Sequence, residues 1–70
     1  MSIQHTLGKN VRRIRESKEW SQDKLADRSG LHRTYISGIE RGVRNPTIEI
    51  VSIIALALEV SPSHLLIEEG

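Results

Sequence analysis

Apolar residues recur at Ile3, Leu7, Val11 and Ile14, in steps of four, four and three that trace one stripe on a helix. The run Ser17-Lys18-Glu19 breaks that stripe. Ser21 then reads as a helix N-cap, its hydroxyl accepting a backbone N–H of the first turn. With Ser21 in that place, Trp20 and Leu25 occupy the two positions of a hydrophobic staple, and Asp23 complements the helix dipole. Lys24 stands where a reciprocal capping box needs Glu or Gln, so the box is absent. Leu25 and Ala26 point inward, and Gly30 offers a left-handed stop. Ile36 and Ile39 share one face of a third helix, with a second stop at Gly42. Two short helices joined by a glycine-containing turn make a helix-turn-helix pattern over about residues 22–41.

The run Gly42-Val43-Arg44-Asn45-Pro46 is a loop by composition, and Pro46 biases Asn45 away from helix. Thr47 caps the fourth helix. On a helix from Ile48 to Glu59, Ile48, Val51, Ile54, Ala55 and Leu58 form the expected core stripe. Ile50, Ile53 and Ala57 form a second apolar face, with Leu56 at its margin. Ser61-Pro62 reads as an N-cap with proline at the first helical position, and Val60 and Leu65 as a second staple. The pattern predicts an all-α bundle of about five short helices in a single domain, residues 1–70 with a core of about 7–66. There is no strand signal and no internal repeat.

Seventy residues bury little surface, and with no Cys neither disulfides nor thiolate-bound zinc can supplement the core. Close helix packing and association with a second copy remain as sources of stability. No segment has the roughly 20 apolar residues of a membrane span, and no leader with a cleavage site stands at the start, so a cytoplasmic protein that touches no membrane is expected. The aromatic residues are Trp20 and Tyr35, too few for a single-strand stacking platform.

The net charge of +1 conceals a polarity. All ten basic residues fall between Lys9 and Arg44, against five acidic ones there, a net of +5. From Asn45 onward there are four acidic residues and no basic one, a net of −4. A basic front and an acidic, apolar back imply a polyanion at one end and a different partner at the other. Lys9, Arg12, Arg13 and Arg15 are expected to make the outer face of the first helix basic.

Enzyme chemistry finds no footing. His5, His32 and His64 have no metal-ligand spacing, and there is no HExxH, no glycine-rich phosphate loop and no Ser-His-Asp set in context. No metal, cofactor or small-molecule ligand is expected.

Ser-Gln opens the second helix at Ser21-Gln22, Leu25-Ala26 lies inside it, and Gly30 makes the turn. Tyr35-Ile36-Ser37 lies in the third helix, which ends Ile39-Glu40-Arg41-Gly42. With Asn45-Pro46-Thr47 and Ala57-Leu58-Glu59-Val60, these residues resemble the Cro/C1-type, Xre-like helix-turn-helix regulators of bacteria and phages. The likeness runs over about residues 7–66. The stretch from Leu31 to Ser37 and on through Arg44-Asn45 looks especially like the controller proteins of restriction-modification systems, whereas Pro46 is a feature of the wider family. The resemblance implies a lambda-repressor-like DNA-binding domain acting on double-stranded operator DNA, of bacterial or phage origin.

A major groove about 12 Å wide admits one helix, whose N-terminal residues reach base edges. Here these are Arg33 and Thr34, with Ser37 one turn on; Arg33 suits guanine O6 and N7. Gln22, at the start of the second helix, suits a phosphate contact. Arg41, Arg44, Asn45 and Arg12 are further phosphate candidates. Tyr35 suits phosphate through its hydroxyl or core packing through its ring, and His32 either touches phosphate or is a surface turn residue. Gly38 permits close approach to DNA or to the second helix, or is neutral drift.

A fourth helix apolar on nearly all sides needs cover on nearly all sides. The expected cover is the fifth helix (Leu65, Leu66, Ile67) together with a homodimer through Ile50, Ile53, Leu56, Ala57, Leu66 and Ile67, suited to a roughly palindromic operator; the alternative is the fifth helix alone. A second reading is an antitoxin-type module whose apolar back end grips a protein partner while its front binds its own operator.

Overall fold

The computed structural model describes residues 2–68. Five helices run in order: α1 Ile3–Ser17, α2 Gln22–Ser29, α3 Arg33–Glu40, α4 Ile48–Leu58 and α5 Pro62–Leu66. No strand occurs among the described residues.

Each start is set by a residue that satisfies an otherwise orphaned N–H. Ser21 Oγ accepts from the Lys24 N–H at 3.0 Å, and Thr47 Oγ1 from the Ile50 N–H at 3.2 Å. His32 performs the same task for α3, its Nδ1 accepting from the Thr34 N–H at 3.1 Å. Ser61 is the exception. Pro62 takes the first helical position as expected, but the Ser61 hydroxyl pairs with Ser63 Oγ at 3.1 Å instead of capping α5. Gly30 ends α2 in the left-handed region, φ 75°, and Glu59 ends α4 with φ 64°. α4 therefore stops at Leu58, one residue short of the expected end.

Leu7, Val11 and Ile14 of α1 meet Leu25, Ile36, Ile39, Val51, Ile54, Ala55, Leu58 and Leu65 in one core. Trp20, Ala26, Tyr35, Ile50, Ala57 and Val60 pack against it from the rim. α1 lies against α3 and α5, and α2 against α3 and α4. Fully burying one Val, Leu or Ile side chain contributes about 1.5–3 kcal/mol, so the ten of them in this cluster carry the domain.

Three expectations are corrected. Ile48, assigned to the core stripe, is 86% exposed at the first position of α4. With Ile3 and Leu66 it rims an apolar cleft of about 200 Å³. Ile3 is likewise exposed, since it opens α1. Arg15, assigned to the basic outer face, is buried.

Two polar or small residues fix how the helices approach. Gly8 sits where α1 crosses the end of α3, and a Cβ there would collide with the Ile39 carbonyl oxygen and lie 2.8 Å from that of Glu40. Asn10 is buried, and its amide donates to the carbonyls of Leu65 and Ile67, each at 2.8 Å. Those bonds fasten the end of α5, a five-residue helix, onto α1.

Candidate nucleic-acid interface

The turn of residues 30–32 sets α3 across α2, and Ile36 and Ile39 hold it there by burying one of its faces. The opposite face carries Arg33 and Thr34, both exposed, with Ser37 half-buried one turn on. The three expected base readers thus share one surface of α3. Arg33 Nε lies 3.2 Å from Asp23 Oδ1, an exposed pair that ties the start of α3 to the first turn of α2. Exposed pairs of this kind contribute about 0–1 kcal/mol, so Arg33 is held lightly and readily exchanges partners.

Arg44 is less simply a loop cation. Its guanidinium lies 5.3 Å from the Tyr35 ring centroid. A Cβ on Gly38 would stand 2.7 Å from Arg44 Cγ and 3.1 Å from its Nε. Gly38 therefore makes room for an arginine side chain along α3, not for the second helix. Tyr35 does pack its ring against the core, and the outer face of that ring carries Arg44. Arg41 and Asn45 are exposed around the same loop. Arg12 also faces solvent, bound to Glu16 one turn along α1 at 3.2 Å. His32 is exposed, with one ring nitrogen engaged as the α3 cap.

Sequence reasoning missed what lies beneath this surface. Glu40, with a side chain only 4% exposed, receives Arg15 through two bonds, Nε to Oε2 at 2.6 Å and a terminal nitrogen to Oε1 at 3.0 Å. Arg15 also donates to the Trp20 carbonyl at 2.7 Å. The hydrogen bonds that Arg15 donates to Glu40 hold its guanidinium above the ordinary arginine range; burial opposes this, and the charges of Glu40 and Glu16 reinforce it. Gln22 Nε2 donates to Glu40 Oε1 at 3.0 Å. The side chain expected at a phosphate thus already spends one N–H inside the protein. A pairing across 25 residues leaves no local signal, and a charge on a helix face ordinarily reads as solvated.

The residues assigned to the second apolar face divide. Leu56 is 80% exposed, Ile53 39%, Leu66 41% and Ile67 55%, while Ile50 and Ala57 are half-buried against the core. The exposed surface of α4 therefore centres on Leu56, not on Ile50 and Ala57. α5 contributes Leu65 to the core but leaves Leu56 bare.

No helix among the described residues is long and apolar enough to cross a membrane, and they hold no cluster of metal-ligating side chains.

A helix-turn-helix family model matches residues 11–65. The control protein C.SmaI of Serratia marcescens is 46% identical over 70 residues, which cover the whole chain and 83% of that protein. The control protein C.BamHI of Bacillus amyloliquefaciens is 50% identical over 66 residues, 93% of the chain and 82% of its own length. Among solved structures, the restriction-modification controller protein C.Esp1396I, a tetramer on its 35-base-pair operator, superposes with a TM-score of 0.85 at 40% identity. That match covers 93% of this chain and 86% of the other. The chain belongs to the Cro/C1-type helix-turn-helix family of DNA-binding transcriptional regulators.

Proposed function

We propose that the chain binds a roughly palindromic operator as a homodimer, with α3 in the major groove of each half-site. The observation that carries this reading is the outward surface of α3, where Arg33, Thr34 and Ser37 stand together at the end of the helix that reaches base edges. Arg33 reads a guanine through O6 and N7, and Thr34 offers a hydroxyl or a methyl to the neighbouring pair. Gln22, Arg41, Arg44 and Asn45 hold the flanking phosphates and set the register. Tyr35 serves by supporting Arg44, and His32 by capping α3. Arg12 is an outlying phosphate contact.

The second copy docks through α4 and α5, with Leu56 and Ile53 at the centre and Leu66 and Ile67 beside them. Leu56 would otherwise stay almost wholly in water, and the dimer is the cover that also gives a two-fold protein. The operator-bound tetramer of C.Esp1396I supports assembly on DNA. The chain is a regulator without enzymatic activity, working in the bacterial cytoplasm and responding through its own concentration.

The deciding experiment is a footprint with purified protein on the DNA upstream of its own gene. The expected result is protection of two related half-sites about 34–36 Å apart, one helical turn. Absence of any protected segment at concentrations that saturate a mixed-sequence duplex would overturn the reading.

A further inference from the structure

Gln22 is the first residue of α2 and is half-buried, so its carboxamide stands between protein and solvent. An amide has two chemically opposite ends: an NH₂ that donates and a carbonyl that accepts. Phosphate oxygens only accept. A freely turning Gln22 would therefore present its repelling end to DNA much of the time. The Glu40 carboxylate also only accepts, and it lies 3.0 Å from one end of that amide. The end facing Glu40 is therefore NH₂. One of its two hydrogens is spent there, and the carbonyl is turned away from Glu40.

We infer that Glu40 is a positioning residue for DNA binding: the buried carboxylate, braced by Arg15, locks the Gln22 amide with its second N–H free for a phosphate. The brace matters because a lone carboxylate on a movable side chain would follow the amide instead of orienting it. Arg15 holds both oxygens of Glu40, and the Trp20 carbonyl holds Arg15. The chain of contacts thus runs from the end of α1, through the end of α3, to the start of α2. It links three helices at one point of the DNA-facing surface. It also explains why a polar cluster survives in so small a core: none of its buried side-chain nitrogens and oxygens lacks a hydrogen-bond partner.

The inference rests on the reading of Gln22 as a phosphate contact, and the test separates the two. The probe is a mixed-sequence duplex at low salt, since phosphate contacts carry no sequence preference. Affinity is measured for Glu40→Gln in three backgrounds: Gln22, Gln22→Ala and Gln22→Lys. Circular dichroism sets the folded fraction of each variant. With Gln22 present, Glu40→Gln is expected to weaken binding about tenfold, the scale of one hydrogen bond to a charged acceptor. It should have no effect beside Ala, which has nothing to orient, or beside Lys, which has only donors.

Equal losses in all three backgrounds would make Glu40 merely structural and overturn the inference, leaving DNA binding intact. An unchanged affinity in Gln22→Ala alone would remove the phosphate role and the inference with it. Failure of the parent protein to bind the duplex would overturn the proposed function itself. Should Glu40→Gln not fold, side-chain amide exchange in the parent protein decides the matter. One Gln22 Nε2 proton protected and the other fast supports the lock; both fast refutes it.

Discussion

The guanidinium of Arg44 lies over the ring of Tyr35, 5.3 Å from its centroid, and reaches that place by crossing α3 at Gly38. Gly38→Ala sets two effects against each other. Alanine gains about 1 kcal/mol of helix propensity over glycine. Its methyl group also evicts Arg44, an exposed side chain that moves at little cost. The expected outcome is a urea midpoint unchanged or slightly raised, together with weaker binding to duplex DNA. Arg44→Ala should lower the log–log salt slope by about 0.9 for each phosphate that the arginine neutralises, with sequence preference retained.

Arg33 is tied down only by the exposed Asp23, so its removal costs the fold little. Arg33→Ala should cost about 1–3 kcal/mol on the cognate operator and relax the preference at one base pair per half-site. A panel of single-base operator variants reads this directly. Full discrimination in the mutant would show that Arg33 does not read bases.

Leu56→Glu tests the dimer more cleanly than a change at Ile53, because Leu56 makes almost no contribution to the monomer core. The variant should remain folded by circular dichroism, sediment as a monomer and lose cooperative operator binding, since dimerisation would bury two carboxylates. A parent protein that is monomeric at tens of micromolar would contradict the interface.

Gly8→Ala should destabilise the domain by about 1–3 kcal/mol despite alanine's higher helix propensity. The obstacles are the backbone carbonyls of Ile39 and Glu40, which cannot swing aside as Arg44 can. For a domain of this size that corresponds to a fall in Tm of about 4–8 °C per kcal/mol, measured by thermal unfolding.

Arg15→Ala should be worse, about 3–5 kcal/mol, because the buried Glu40 carboxylate loses its principal hydrogen-bond partner. The pH dependence has a definite sign. Arg15 titrates above its unfolded value, so its contribution is complete at every pH below the unfolded arginine range and is lost only on rising through it, in strong alkali. Urea unfolding of the parent should show no loss traceable to Arg15 between neutral pH and pH ~10.

The order and limits of the helices are legible in the sequence because caps, glycine stops and apolar steps are local. Ser21, Gly30 and Thr47 each act within one turn of where they stand. Ile48 misleads because periodicity gives a direction around the helix but not whether a neighbour reaches that far along it. Arg15 misleads for a related reason: its acceptor lies 25 residues away on another helix, and nothing near it marks the burial. His32 is a poor cap by residue type, yet its Nδ1 has the reach to do the work of an Asp oxygen. The exposed residues of α3 are visible as a group; the bonds that join Gln22 to Glu40 and Arg15 are not.

The amide of Asn10 spans 55 residues of chain to reach the Leu65 carbonyl and ties α1 to α5. Local pairs such as α2 with α3 close short loops and form early, whereas this tie waits for the far end of the molecule. A chain cut short behind α4 would leave the Asn10 amide without its two carbonyl partners and would present neither Leu66 nor Ile67 to a partner.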